Sequence, residues 1–350
     1  MRFRIFIITI FSFIKRMFYF NPFLYSIIVY TPLFTVINSK VSKKSLRFVI
    51  IFSLLILITG NIGIFYSFIP LFLLMIFKSY FENYSFETTL SKLIYLYVLV
   101  CLYGLYQSFF GYSSFELGWL SSDLGIVGSD NLITERNIRP FSTFAGIPEF
   151  SFFCAMFAYL FYIQKRKAFF MTSIIMLIVS GSRGVIVSTL IAFAVIFFFK
   201  KNTYKIKLLK GLFLSIIFFL SLVFIYPFYF LLSYESSPRT LVYGTFNGRI
   251  VNWLELIEKS NYLNFFIGNY NSTYLDLTTD NLYLNLILKF GIFGLIYFFT
   301  FFRNIKLNEK SVFFLTIFLG YCLYADVIFS FYIMFPFFFA FYSKQKNKLC

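Results

Sequence analysis

The chain is a succession of long apolar runs, and that pattern decides which folds are open to it. Runs made almost wholly of Phe, Ile, Leu, Val, Met, Ala and Tyr fall near 3–14, 17–37, 47–59, 62–77, 93–111, 144–163, 168–180, 184–199, 210–232, 283–302, 311–324 and 326–342. About twenty such residues cross a hydrocarbon layer as a helix, and somewhat shorter runs also suffice. In lipid every backbone N–H and C=O must be satisfied within the protein, which leaves helices or a closed barrel. Barrel strands alternate apolar and polar residues, and these runs do not. The expectation is therefore an all-α polytopic integral membrane protein with about twelve transmembrane helices. The first two runs, and the pair around Thr59 to Gly63, could each be one kinked or interfacial element. Composition agrees: 60% of the 350 residues are hydrophobic, only 13% are charged, and the mean hydropathy is +0.81.

A formal charge of +17 would suggest nucleic acid in a soluble domain. Here the basic residues stand in short clusters between apolar runs, where they set topology, and no nucleic-acid partner is expected. The clusters are Lys40, Lys43, Lys44 and Arg47; Lys165, Arg166 and Lys167; Lys200, Lys201, Lys205, Lys207 and Lys210; Arg303, Lys306 and Lys310; and Lys344, Lys346 and Lys348. If all five are cytoplasmic, the crossings alternate consistently and both termini lie inside. Lys15 and Arg16 are the exception. They also follow the first apolar run where a cleaved signal peptide would carry small residues, so that run reads as a retained segment. Cys101, Cys154 and Cys322 lie in apolar runs, Cys350 ends the chain, and none has metal-ligand spacing.

The same alternation divides the chain into N-terminal helices (1–112), an outer loop (113–143), central helices (144–232), a long outer loop with a surface helix (233–282), and C-terminal helices with a cytoplasmic tail (283–350). Most carboxylates fall in or beside the two outer loops: Glu116, Asp123, Asp130, Glu135, Glu235, Glu255, Glu258, Asp276 and Asp280. Function is to be sought on that side, because loops on a rigid scaffold are where binding and catalysis concentrate. No internal repeat is visible, which weakens a transporter reading built on duplicated halves.

Four stretches there carry chemistry. In "SGSRG", Ser180 to Gly184, Arg183 stands at a tight turn between two helices, with Gly181 and Gly184 permitting a sharp bend or close approach. It could snorkel to headgroups, or its fork of donors could bind a polyanion. Arg249, in "NGRIVNW", opens an amphipathic stretch in which Ile250, Trp253, Leu254 and Ile257 recur at helical spacing, as in a surface helix with Trp253 as its interfacial anchor. Asn281, Asn285 and Lys289 follow at fours after Asp280, a polar stripe on an apolar helix, and Asp280 could simply cap it. In "RPFSTFAGIPEF", Arg139 precedes Pro140, and Pro148 with Glu149 begins a helix; an ordinary helix start also looks like this.

Taken in order, "RPFSTFAGIPEF", "SGSRG", "NGRIVNW" and "DNLYLNLILKFGIFGL" resemble the O-antigen polymerase and O-antigen ligase superfamily over roughly residues 135–300. The resemblance implies a GT-C-like membrane glycosyltransferase with two long extracytoplasmic loops, using glycans on undecaprenyl pyrophosphate at the outer face. It implies that Arg183 and Arg249 bind the lipid pyrophosphate; Arg139, expected on the same face, is a third candidate from the residues themselves, and Asn281 and Lys289 of the polar stripe are secondary substrate-binding candidates. The family's ligases typically carry a histidine in the segment corresponding to "TTDN". This sequence has no histidine at all and has Asp280 there, which favours a polymerase.

The chemistry suits these residue types. Glycosyl transfer from a lipid pyrophosphate breaks a C1–O bond and leaves charge on the pyrophosphate, which arginines stabilise. The attacking hydroxyl needs a base within hydrogen-bond reach, for which Asp280 and Glu149 are the catalytic candidates and Asp326 a third. No cofactor or metal is demanded. The expected partners are the lipid-linked oligosaccharide as donor and acceptor, the lipid bilayer, and candidate chain-length regulator and flippase proteins. The alternatives are an O-antigen ligase and, from another class, a flippase or transporter of lipid-linked oligosaccharide.

Overall fold

The computed structural model describes residues 41–58, 62–120, 140, 142, 147–199, 214–215, 253–254, 256–258, 262–268, 281–300, 302, 305–323 and 331–344. Every regular element among them is a helix, with one isolated bridge between Ser85 and Lys344. The helices are α1 (Lys43–Ile58), α2 (Ile62–Ile76), α3 (Ser79–Glu82), α4 (Phe86–Ser91), α5 (Ile94–Phe110), α6 (Ser114–Leu120) and α7 (Ile147–Ile163). They continue as α8 (Lys167–Val179), α9 (Arg183–Phe199), α10 (Tyr262–Ile267), α11 (Leu282–Thr300), α12 (Glu309–Tyr321) and α13 (Phe331–Tyr342). Nine of these coincide with apolar runs. The runs at 3–14 and 17–37, and 210–232 apart from the helical Leu214 and Ser215, lie outside the described residues. One described helix, α11, is long and apolar enough to cross a membrane by length and composition, while α5, α7, α8 and α9 are apolar but shorter. A helix the length of α5 or α7, 17 residues, rises about 25 Å, near the lower limit for a crossing.

The helices divide between two compact units, one holding 77–189 and 331–350 and the other 41–76 and 190–330. In the first, α7 is the central element. Every residue from Phe150 to Phe161 is buried, so it is packed on all sides. Gly104 brings α5 close, since a Cβ there would stand 2.8 Å from the Phe150 ring. Tyr97 of α5 stacks on Phe157 with centroids 4.4 Å apart, and its hydroxyl meets Ser173 Oγ of α8 at 2.6 Å. Phe337 of α13 lies 4.0 Å from Phe152 on another side.

This unit has two chemically different ends. At one, Gln164 Nε2 donates to Ser91 Oγ (2.7 Å), Lys344 N donates to Tyr84 O (2.8 Å), and Phe86 N donates to Lys344 O (3.1 Å). Lys165, Arg166, Lys167 and Lys344 are all exposed. The other end holds Gly111, Ser142, the start of α7 and the turn between α8 and α9. Between them α5 presents Tyr95, Leu99, Leu102, Tyr106, Phe109 and Phe110 outward, an exposed apolar stripe along the whole helix. α8 exposes Met171, Ile175 and Ile178 in the same way.

In the second unit α1 and α2 form an antiparallel hairpin tied by Ser42 N to Ile76 O (2.9 Å). Phe52 is fully buried and meets Phe68 and Phe72 of α2 and Phe290 and Phe298 of α11. The start of α11 is fixed to the end of α12 by Leu282 N to Cys322 O (2.8 Å) and by the Tyr283 hydroxyl to Leu319 O (2.6 Å). α9 packs on α12 through Phe193 against Phe313, 4.7 Å between centroids. Asn308 and Ser311 cap α12 reciprocally, each side chain accepting from the other's backbone N–H at 2.8 Å.

Two features depart from the sequence reading. α11 is broken at Gly291, whose φ of 71° and ψ of 177° suit almost only glycine. Backbone of the segment ending in Gly268 (φ 95°) crosses that break. A Cβ on Gly268 would stand 2.6 Å from Lys289 O, and one on Gly291 would collide with the Phe266 carbonyl. Trp253, expected as an interfacial anchor, is helical but only 2% exposed, and Leu256 is buried with it. The indole is a packed residue of its unit rather than a surface anchor.

The break predicts that Gly291→Ala and Gly268→Ala each destabilise the purified protein by about 2 kcal/mol or more, from conformational strain and backbone overlap together. Thermal unfolding checks this. An unchanged midpoint for Gly291→Ala would mean that α11 tolerates a continuous helix.

Candidate functional site

The "SGSRG" stretch forms the turn between α8 and α9. Ser180 Oγ donates to Leu177 O (2.6 Å), Gly181 N donates to Ile178 O (3.0 Å), and Gly181 takes a φ of 70° that reverses the chain. Ser182 O then accepts from Ile186 N at 2.9 Å as α9 begins. Arg183 is the first residue of α9 and is exposed. Gly184 is not part of the bend: it is buried in the first helical turn, where its carbonyl accepts from Ser188 Oγ (2.6 Å). The N-terminus of a 17-residue helix is its positive end, so the arginine adds to a field that already favours anions.

Glu149 lies in the first turn of α7, partly exposed, with Pro148 before it where a missing N–H leaves no bond unmade. Two residues on, Ser151 Oγ lies 2.8 Å from Ile147 O and, since the single proton of Ser180 Oγ goes to Leu177 O, donates its own to Ser180 Oγ (2.6 Å). This buried contact joins the start of α7 to the "SGSRG" turn. Glu149 and Arg183 therefore sit on helix ends that a serine pair holds together at one end of the unit.

A second polar cluster supports that end. Glu116, 1% exposed, accepts from Tyr103 Oη (2.8 Å) and Gln107 Nε2 (2.5 Å) at one oxygen. Its other oxygen accepts from Ser113 N (2.9 Å) and Ser113 Oγ (3.0 Å). Gln107 Oε1 in turn accepts from Ser142 N (2.6 Å), and Ser142 Oγ donates to Val100 O (2.6 Å). Gln107 and Ser142 were not singled out from sequence, and Glu116 only as one of many outer-loop acids. A signal was present: Ser113 and Glu116 have the spacing of a capping box, which they form at the start of α6.

Asn281 and Lys289 belong to the other unit and form a local arrangement of their own. Asn281 is the N-cap of α11, its Oδ1 accepting from Tyr283 N (3.0 Å) and Leu284 N (3.2 Å). The capping role considered for Asp280 thus falls one residue later. Asn285 and Lys289 continue the stripe, and all three are buried. Lys289 stands in the last turn before the Gly291 break, where helix carbonyls favour a cation. Arg139, Arg249 and Asp280 lie outside the described residues, as does Asp326. Among the described residues no three His, Cys, Asp or Glu side chains are grouped to hold a metal ion. No protein-family model matches the chain, and no curated protein or solved structure is detectably similar to it.

The serine pair predicts coupled energetics. Ser151→Ala and Ser180→Ala should each cost about 1 kcal/mol of stability, and the double variant less than their sum, because the second substitution removes a hydroxyl that has already lost its cross-helix partner. Denaturant unfolding of the four species gives the coupling. Strict additivity would mean that the contact contributes nothing.

Proposed function

We propose that the chain is a membrane glycosyltransferase of the O-antigen polymerase kind, acting on undecaprenyl-pyrophosphate-linked glycans at the outer face of a bacterial cytoplasmic membrane. The observation that carries this reading is the Ser151–Ser180 contact, which ties the helix start that follows one of its four motifs to the turn formed by another, at one end of a helical unit. The opposite end of that unit carries exposed Lys165, Arg166, Lys167 and Lys344, a distribution that supports a cytoplasmic side there. The outward apolar stripe of α5 and α8 supports a lipid setting, since water-exposed patches of this kind are rare in monomeric soluble proteins. About twelve crossings in a GT-C-like arrangement, with both termini cytoplasmic, belong to the same proposal.

In this reading the reaction is attack by a hydroxyl of a fresh lipid-linked repeat unit on C1 of the growing glycan. The C1–O bond to the pyrophosphate breaks as the new glycosidic bond forms. Arg183, Arg249 and Arg139 stabilise the charge that develops on the leaving pyrophosphate. Glu149 or Asp280 takes the proton from the attacking hydroxyl, and Asn281 and Lys289 are secondary contacts. Arg183 suits its part because guanidinium and helix N-terminus favour the same anion. The absence of histidine keeps the polymerase ahead of the ligase.

Deleting the gene and resolving the surface glycan and its lipid-linked intermediates on gels tests the reading, with plasmid complementation as control. The expected result is a ladder that collapses to single repeat units. Long polymer accumulating on the carrier would indicate a ligase, single units trapped on the cytoplasmic face a flippase, and an unchanged ladder would remove the reading altogether. In complementation, Arg183→Ala should lose most polymer. Arg183→Lys should recover only part of it, since lysine keeps the charge without the two-pronged donor geometry.

A further inference from the structure

We propose that Glu116 is a positioning residue for the end of the unit that carries Glu149 and Arg183, acting through Gln107 and Ser142. A carboxylate at 1% exposure is costly unless its oxygens are satisfied. Glu116 meets that condition with Tyr103 Oη, Gln107 Nε2, Ser113 N and Ser113 Oγ. Both oxygens are committed to donors, so it is not placed to collect a proton from a sugar hydroxyl. Its effect is instead to fix the Gln107 amide, itself fully buried.

With Nε2 directed at Glu116, Gln107 presents Oε1 to Ser142 N at 2.6 Å, and Nε2 also reaches Ser142 O at 3.3 Å. The Ser142 hydroxyl adds a third tie, to Val100 O. These contacts hold Ser142 at a φ of 52°, in the left-handed region that serine seldom occupies. Tyr103, Gln107 and Val100 all belong to α5, so one rigid helix is the reference for the whole cluster. Ser142 lies five positions before Ile147, where α7 begins, and the first turns of α7 carry Glu149 and the Ser151 contact to Ser180. Glu116 thus fixes the point at which the chain enters α7, and Ser151 passes that placement to the Arg183 turn.

The donor pattern makes the proposal specific. In Glu116→Gln the new NH₂ must face either Gln107 Nε2 or Ser113 N, neither of which can accept. Exchanging the partners, Gln107→Glu with Glu116→Gln, restores a carboxylate–amide bond and keeps an acceptor for Ser142 N. Tyr103→Phe removes a single donor and gives a milder variant should Glu116→Gln fail to fold.

The experiment places spin labels at positions 149 and 183 of the full-length protein in lipid nanodiscs, in a Cys350→Ser background. Each of the three changes is added in turn, and the interlabel distance distribution is measured. We expect a narrow distribution in the parent, a broad one in Glu116→Gln, an intermediate one in Tyr103→Phe, and recovery in the exchange. In unlabelled protein, a consequence that rests on the function proposed above, Glu116→Gln should lower kcat at least tenfold with KM within about twofold, and the exchange should recover most of kcat. A distribution unchanged in both Glu116→Gln and Tyr103→Phe, or an exchange variant that folds and stays broad, would overturn the proposal. The distances need no substrate, so a protein without polymerase activity would sink the function while the distances still decide the role of Glu116.

Discussion

Polar groups inside an apolar bundle have to find hydrogen-bond partners within the protein, and that requirement fixes where these helices meet. Many buried serines and threonines donate to their own helix: Ser173 to Phe169 O, Ser188 to Gly184 O, Thr189 to Val185 O and Thr316 to Val312 O. Such bonds make a hydroxyl tolerable without specifying a neighbour. The few that reach another helix are the informative ones. Tyr97 to Ser173, Ser151 to Ser180 and Tyr283 to Leu319 O each pin a pair of helices at a defined height, which ring packing alone does not do.

Phenylalanine supplies the bulk between those pins. Rings such as Phe52 and Phe157 touch several others, and this interior is filled by area rather than by direction. Close backbone approach then depends on glycine at two places of different character. Gly104 leaves room for the Phe150 ring, so a larger residue there would displace a side chain. Gly291 and Gly268 leave room for backbone, where nothing can rotate aside.

Much of the helical framework was legible because it rests on one property: apolar runs bounded by basic clusters become helices, and their limits fall within a few residues of the runs. The turn at "SGSRG" was legible too, since glycine beside serine marks a bend, although only Gly181 bends and Gly184 is helical. The Gly291 break was not, because a glycine inside an apolar run has the same local sequence whether or not another segment crosses it. Trp253 was misplaced for a related reason: amphipathic spacing identifies a buried face without saying whether lipid or protein covers it. Of the candidate site, Arg183, Glu149, Asn281 and Lys289 can be placed. The Glu116–Gln107–Ser142 cluster joins residues 35 positions apart and leaves only its local part, the Ser113–Glu116 capping box, in the sequence.

The two candidate-site cations among the described residues, Arg183 and Lys289, differ in what their helices do for them. Lys289 is buried in the last turn before a break, where carbonyls of its own half-helix favour positive charge, so its local surroundings already compensate it. Arg183 is exposed at the opposite kind of terminus, where α9 opposes a cation and attracts an anion. In the proposed reaction a pyrophosphate at that end would answer the helix field and the guanidinium at once. For this reason Arg183 carries the greater weight in the proposed site, and Lys289 is already explained in large part by the fold.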